Sequence, residues 1–224
     1  MQRSHTLNPI TRIDRDNPHY PPRLHDLYDP PESLYIDGDI NLLKMPMIAI
    51  VGSRGASPEG LKNAALFAQA LSNAGALILS GLARGVDSAA HQATITLGPK
   101  HRTAAVLGTG IDVVYPRQNI YLSQAISRQG LLVSELHMGA GPQARHFPRR
   151  NRIIAALALG VVVVEAAERS GSLITAHLAA DLGREVFALP GSIHSANSAG
   201  CHLLIQQGAK LAFRPNDVLE ELHF

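Results

Sequence analysis

Residues 47–91 read MIAIVGSRGASPEGLKNAALFAQALSNAGALILSGLARGVDSAAH, and this stretch decides the fold. Two apolar runs, 48–51 and 76–79, are aliphatic and lack polar alternation. Strands buried on both faces have that composition, and such strands belong to parallel sheets covered by helices. Each run leads into a loop of small residues, 52–55 and 80–85, and then into a helical pattern. Behind Ser57-Pro58, the residues Leu61, Ala64, Ala65, Ala68 and Leu71 keep helical spacing. The same rhythm continues outward, with apolar runs at 103–107, 131–133, 161–164 and 186–189. Asp87, Asn119, Ser172 and Asn216 are the expected caps of later helices. Strand–helix alternation of this kind predicts an α/β fold, doubly wound, with a mostly parallel sheet and helices on both faces.

Upstream, residues 1–45 are rich in Pro and Asp and hold one strand-like piece, Leu34-Tyr35-Ile36. They are expected to form an N-terminal arm packed on a core domain of residues 46–224. With 224 residues, the chain is long enough for one large domain with a full core. No run of about 18 apolar residues occurs, so no membrane helix is expected. Residues 1–15 have no apolar signal core, which points to the cytoplasm. The single cysteine, Cys201, excludes an internal disulfide and any multi-cysteine metal site.

In a parallel sheet, the loops that follow the strands emerge at one rim, where ligands bind. Here they read Gly52-Ser53-Arg54-Gly55, Ser80-Gly81-Leu82-Ala83-Arg84-Gly85, Gly108-Thr109-Gly110, Arg169-Ser170-Gly171-Ser172 and Pro190-Gly191-Ser192. Glycine allows backbone amides close to an anion, hydroxyls add donors, and helix N-termini add favourable dipoles. Strand-to-helix turns also need glycine for steric reasons, but five such loops on one rim, two of them with Arg inside the loop, predict anion binding. Gly108-x-Gly110 lacks the third small residue and the immediate helix of a dinucleotide loop, and no Gly-Lys-Ser/Thr P-loop occurs. A whole rim of donors suits an extended phosphate backbone better than one mononucleotide.

Net charge is only +2, yet 16 Arg stand against 4 Lys, and Arg145, Arg149, Arg150 and Arg152 fall within eight residues. Arg presents a planar fork to phosphate and stacks on bases. The segment Arg145-His146-Phe147-Pro148-Arg149-Arg150-Asn151-Arg152 places an aromatic ring among these charges. Phe147 has two readings: a platform for an unpaired base, or a staple for the helix beginning near Pro148. No Gly-x-Ser-x-Gly elbow and no His-Glu-x-x-His motif is present. Asp112 and Glu165 lie near strand ends without a partner nucleophile, and Asp87 and Asp112 are expected to cap helices or orient loops. Neither a catalytic residue, a metal nor a cofactor is expected.

Several long motifs carry a family resemblance. Gly-Ser-Arg at 52–54, Ser-Gly-Leu-Ala-Arg-Gly-Val-Asp-Ser-Ala-Ala-His at 80–91 and Gly-Thr-Gly-Ile-Asp-Val-Val-Tyr-Pro-Arg-Gln-Asn at 108–119 resemble the hallmarks of the DprA/Smf proteins. So do Phe-Pro-Arg-Arg-Asn-Arg at 147–152, Ser-Gly-Ser-Leu-Ile-Thr-Ala at 170–176 and Leu-Pro-Gly-Ser at 189–192. The resemblance implies an extended Rossmann-like fold that binds incoming single-stranded DNA, forms a homodimer, and loads the recombinase RecA in natural transformation. It places Arg54 and the stretch Arg149, Arg150, Asn151, Arg152 in a DNA pocket, with the Ser80–Gly85 and Ser170–Ser172 loops beside them. Many members carry a small N-terminal domain and a winged-helix-like C-terminal one, and neither is expected in these residues. An alternative is a nucleotide-binding protein or a nucleoside-monophosphate hydrolase of the lysine-decarboxylase-like group. Those use a Pro-Gly-Gly-x-Gly-Thr loop where this chain has Arg169-Ser170-Gly171-Ser172.

Near the C-terminus, Leu203, Leu204 and Ile205 stand in succession. Neighbours on a helix point about 100° apart, so three in a row cover too wide an arc for one contact face. One side is expected on the sheet. The other is expected in a dimer interface, as the resemblance implies, or under the last helix.

Overall fold

The computed structural model describes residues 9–224, and helices separate most of their strands. The strands are β1 (Thr11–Asp14), β2 (Ser33–Gly38), β3 (Met47–Val51), β4 (Leu77–Ser80), β5 (Thr103–Val106), β6 (Leu131–Ser134), β7 (Gly160–Val163), β8 (Glu185–Ala188) and β9 (Lys210–Leu211). The helices are α1 (Pro58–Asn73), α2 (Val86–Thr96), α3 (Ile120–Gln129), α4 (His146–Leu157), α5 (Gly171–Asp181), α6 (Ala199–Gln206) and α7 (Pro215–Leu222). All strands join one sheet in the order β1-β2-β6-β5-β4-β3-β7-β8-β9. From β6 to β9 every pairing is parallel, and the expected doubly wound α/β fold is what forms.

Side-chain alternation explains the two layers. Met47, Ala49 and Val51 of β3 enter the core with α4 and α5, while Ile48 and Ile50 enter the core with α1 and α2. Residues at i and i+4 on α1, Ala64 and Ala68, with Phe67 and Leu71 between and beyond, supply the facing stripe. The chain builds β3 to β6 outward on one side, then α4 carries it back across to β7, where it continues the other way. The junction of β3 and β7 is therefore a topological switch point, where a crevice opens outside the strand ends.

Residues 1–8 of the expected arm lie outside the described residues. The described part contributes more than a covering segment: β1 and β2 extend the sheet antiparallel from β6, with Ile36 opposite Val133. The Leu34–Ile36 piece lies within β2. Tyr20, Leu24, Leu34 and Ile36 share the core with α4.

Ser57 caps α1 as expected, accepting from the Gly60 amide. The other caps shift. Gly85 precedes α2, leaving Asp87 inside the first turn, where its carboxylate accepts from the Gly81 and Ala83 amides. Ser170, not Ser172, caps α5, and Pro215 starts α7 after Arg214 rather than Asn216. Asn119 stands at the cap position of α3, but its side chain donates to the Leu82 carbonyl instead.

In α6, Leu204 is buried in the core, Ile205 packs partly against it, and Leu203 is 38% exposed. The last helix does not cover them, because α7 packs with α1 on the opposite layer. Leu211 of β9 and the following Phe213 are also exposed. Among the described residues, no helix is long and apolar enough to cross a membrane.

Candidate nucleic-acid interface

At the switch point lies a cleft of about 780 Å³. Its walls are the loop after β3, the loop after β7 with the start of α5, and the inner side of α4. A smaller recess of about 290 Å³ continues from it over the loops after β4 and β5, and the two share Arg54, Tyr115, Phe147 and Arg150.

Arg54 is exposed, and its guanidinium lies 5.4 Å from the centre of the Phe147 ring. Tyr115 stands 5.5 Å from the same ring, at a 40° tilt. The structure thus places Phe147 in the first turn of α4 with its ring on the cleft wall, half-buried between a cation and a second aromatic. Among the described residues, no carboxylate forms an ion pair with Arg54 or Arg84, and Arg84 is exposed at the recess.

Helical geometry divides the arginine cluster that looks continuous in sequence. Arg149 and Arg152, three apart, share a face turned toward the arm, where both pair with Glu135 and Asp29. Arg145 is exposed and donates to Gln143. Arg150 points the other way and is 6% exposed. Its guanidinium donates to the Gly81 carbonyl at 2.6 Å and to the Val106 carbonyl, and its Nε donates to Asn151. Asn151 in turn donates to the Gly171 carbonyl, tying α4 to α5. Arg150, read from the sequence as a phosphate ligand like Arg54, is a buried brace of the cleft floor. Burial lowers its pKa to about 10, against the opposing charge of Asp87. Burial likewise pushes the Asp87 carboxyl up, with Arg150 and the loop amides offsetting it.

The glycines also have reasons that the sequence reading did not find. A side chain at Gly81 would collide with the Arg150 guanidinium, and one at Gly108 would come within 2.7 Å of the Phe147 ring. Several donors counted toward the rim are spent internally. Ser80 Oγ donates to Ile50, Thr109 Oγ donates to Val113, and the Gly110 amide donates to Ala140. Ser53 donates its amide to Glu165, whose carboxylate accepts from the Ser57 amide and hydroxyl. Ser170 and Ser172 bond to each other, with Gly171 exposed between them. The loops at Gly52–Arg54, Gly81–Arg84 and Ser170–Ser172 do converge on the cleft and recess, whereas Thr109 and Gly110 are buried and line neither. Gly191 and Ser192 line neither. Among the described residues, no group of three His, Cys, Asp or Glu side chains is placed to hold a metal ion. Tyr115, absent from the sequence-derived set, enters through the Tyr-Pro pair of the 108–119 motif.

A family model described as DNA recombination-mediator protein A matches residues 11–223. The chain belongs to that family. Its members include DNA processing protein DprA of Streptococcus pneumoniae, 50% identical over 205 residues, which are 92% of this chain and 72% of the relative. Protein Smf of Escherichia coli is 46% identical over 95% of this chain, and the chain spans 56% of its length. A family structure, DprA from Helicobacter pylori, described for its single-stranded DNA binding mode, superposes with a TM-score of 0.88 at 31% identity, covering 99% of this chain and 98% of that one.

Proposed function

We propose that this family member binds single-stranded DNA without sequence preference in the switch-point cleft, and acts as a recombination mediator rather than an enzyme. The observation that carries the reading is Arg54 lying over Phe147 in the cleft, with no carboxylate among the described residues paired to the arginine. A guanidinium beside a half-buried aromatic ring at the cleft wall offers what a nucleotide unit requires, a phosphate contact and an aromatic surface. The single-stranded DNA binding mode named for the Helicobacter pylori relative supports it. The carboxylates near the strand ends are committed to holding loops, Asp112 on the Gly139 amide and Glu165 on Ser57, as is Asp87 in α2 on two amides, which supports a binding role.

The reading extends to a cytoplasmic homodimer that hands its DNA to RecA. Family membership supports the transfer to RecA, and the exposed Leu203 of α6, with exposed Leu211 and Phe213 at β9, supports the dimer. The test is titration of a single-stranded oligonucleotide over a range of salt. Log affinity should fall with log salt by about 0.7 per phosphate contacted, and more steeply than about −2 in total if several contacts form. Equal affinity for duplex, a flat salt response, or turnover of nucleoside monophosphates in a parallel assay would overturn it.

A further inference from the structure

Beyond the recess, the surface continues into a separate groove of about 590 Å³ between the start of α1, the outer side of α2 and the start of α3. Arg54, Arg84 and Gln118 line both the recess and this groove, so the two arginines form a saddle between them. Past the saddle the groove presents Gln92, Tyr121 and Leu61, and no Asp or Glu lines it. Tyr121 is 81% exposed, an unusual setting for a ring carried on a regular helix.

The saddle is held firmly. Asp87 fixes the Gly81 and Ala83 amides from within, the Ser88 hydroxyl donates to the Ala83 carbonyl, and the Asn119 side chain donates to the Leu82 carbonyl. Leu82 is itself buried, with φ of +57°. Arg84 is exposed on this hydrogen-bonded loop where the recess and the groove meet, and among the described residues no carboxylate pairs with it.

We infer that this groove is a second segment of the nucleic-acid path: a single strand seated in the cleft crosses the Arg54–Arg84 saddle and stacks a base on Tyr121. The inference rests on the reading of the cleft given above. Its chemistry follows from the lining. Two unpaired guanidinium groups suit successive phosphates, an exposed ring suits an unpaired base, and the Gln92 and Gln118 amides both donate and accept, which suits bases of any identity. The absence of lining carboxylates removes the repulsion that a phosphate backbone would otherwise meet.

The experiment uses two oligothymidylates, of about four and about twelve nucleotides, which bracket the usual site sizes of single-strand binders. Both are titrated against the wild type and the Tyr121→Ala, Tyr121→Phe and Arg54→Ala variants. Tyr121→Ala should weaken the longer probe about tenfold, equivalent to about 1.4 kcal/mol, and leave the shorter one unchanged. Tyr121→Phe keeps the ring and should restore wild-type affinity. Arg54→Ala should weaken both probes. If Tyr121→Ala leaves the longer probe unchanged or weakens both equally, while Arg54→Ala weakens both, the groove is not a second segment and the cleft reading survives. A Tyr121→Phe variant as weak as Tyr121→Ala overturns stacking. If the wild type binds neither probe, the cleft reading falls, and the groove with it.

Discussion

Replacing Arg150 by Ala tests whether this arginine holds the site together or holds the ligand. In the folded chain its guanidinium serves the Gly81 and Val106 carbonyls and compensates the buried Asp87. Truncation leaves two acceptors and a carboxylate without that partner. Breaking a buried charged cluster by removing one member costs about 3–5 kcal/mol. The cleft is open to water on one side, which can resolvate part of what is exposed, so the lower end applies, about 3 kcal/mol. A protein of this size loses about 2–4 °C of Tm per kcal/mol, giving an expected fall of roughly 6–12 °C. Circular dichroism melting of wild type and Arg150→Ala, beside oligonucleotide titration well below both melting points, provides the measurement. An Arg150→Lys variant should be intermediate, because one guanidinium nitrogen serves both carbonyls, which an ammonium can also do, while the Nε bond to Asn151 is lost. The reasoning is refuted if Arg150→Ala melts within about 2 °C of the wild type while its DNA affinity collapses. That outcome would make Arg150 a ligand rather than a brace.

Arg54→Ala should weaken single-strand binding by about 1.5–3 kcal/mol in a fluorescence titration and leave Tm unchanged, since the side chain is exposed; a lowered Tm with intact affinity would show a structural role instead. Gly108→Ala should reduce affinity about as much as Phe147→Ala, on the order of 1–3 kcal/mol, because the added methyl pushes the ring from its wall; binding at wild-type strength would mean that the ring position is irrelevant. His91 is fully buried, and its Nδ1 must donate to Thr103 Oγ, because the Thr103 hydrogen goes to the Ile78 carbonyl. Burial pushes its pKa down to about 3, so the unfolded chain binds the proton more readily; stability is complete above about pH 6.5 and is lost as pH falls toward 3. Urea unfolding at pH 5 should show about 2 kcal/mol less stability from this group than at neutral pH, and His91→Gln should remove that part of the slope. Leu204→Arg should unfold the chain, whereas Leu203→Arg should stay folded and sediment as a monomer; a folded Leu203→Arg dimer would rule out the β9 flank as the interface.

The parallel sheet and its layers could be read from residues 47–91 because burial on both faces leaves a one-dimensional mark, an apolar run without alternation between small-residue loops. That the loops gather at one rim followed from the same rhythm, whereas the cleft between β3 and β7 came from the strand order of the folded sheet. What each rim residue does was decided by tertiary structure. Arg149, Arg150 and Arg152 look equivalent along the chain, yet each helical step turns the side chain by about 100°, sending one into the cleft floor and two toward Glu135 and Asp29. The carbonyls that occupy Arg150 come from the loop after β4 and the end of β5, more than 40 residues away, and no local pattern announces them. Gly81 and Gly108 read as anion-loop glycines but are small because Arg150 and Phe147 lie against them. The arm's place as two antiparallel edge strands, and the burial of Leu204 beside exposed Leu203, depend on which surfaces meet across the fold. Local sequence records how much of an element is buried. The identity of the atoms that bury it is a property of the assembled chain.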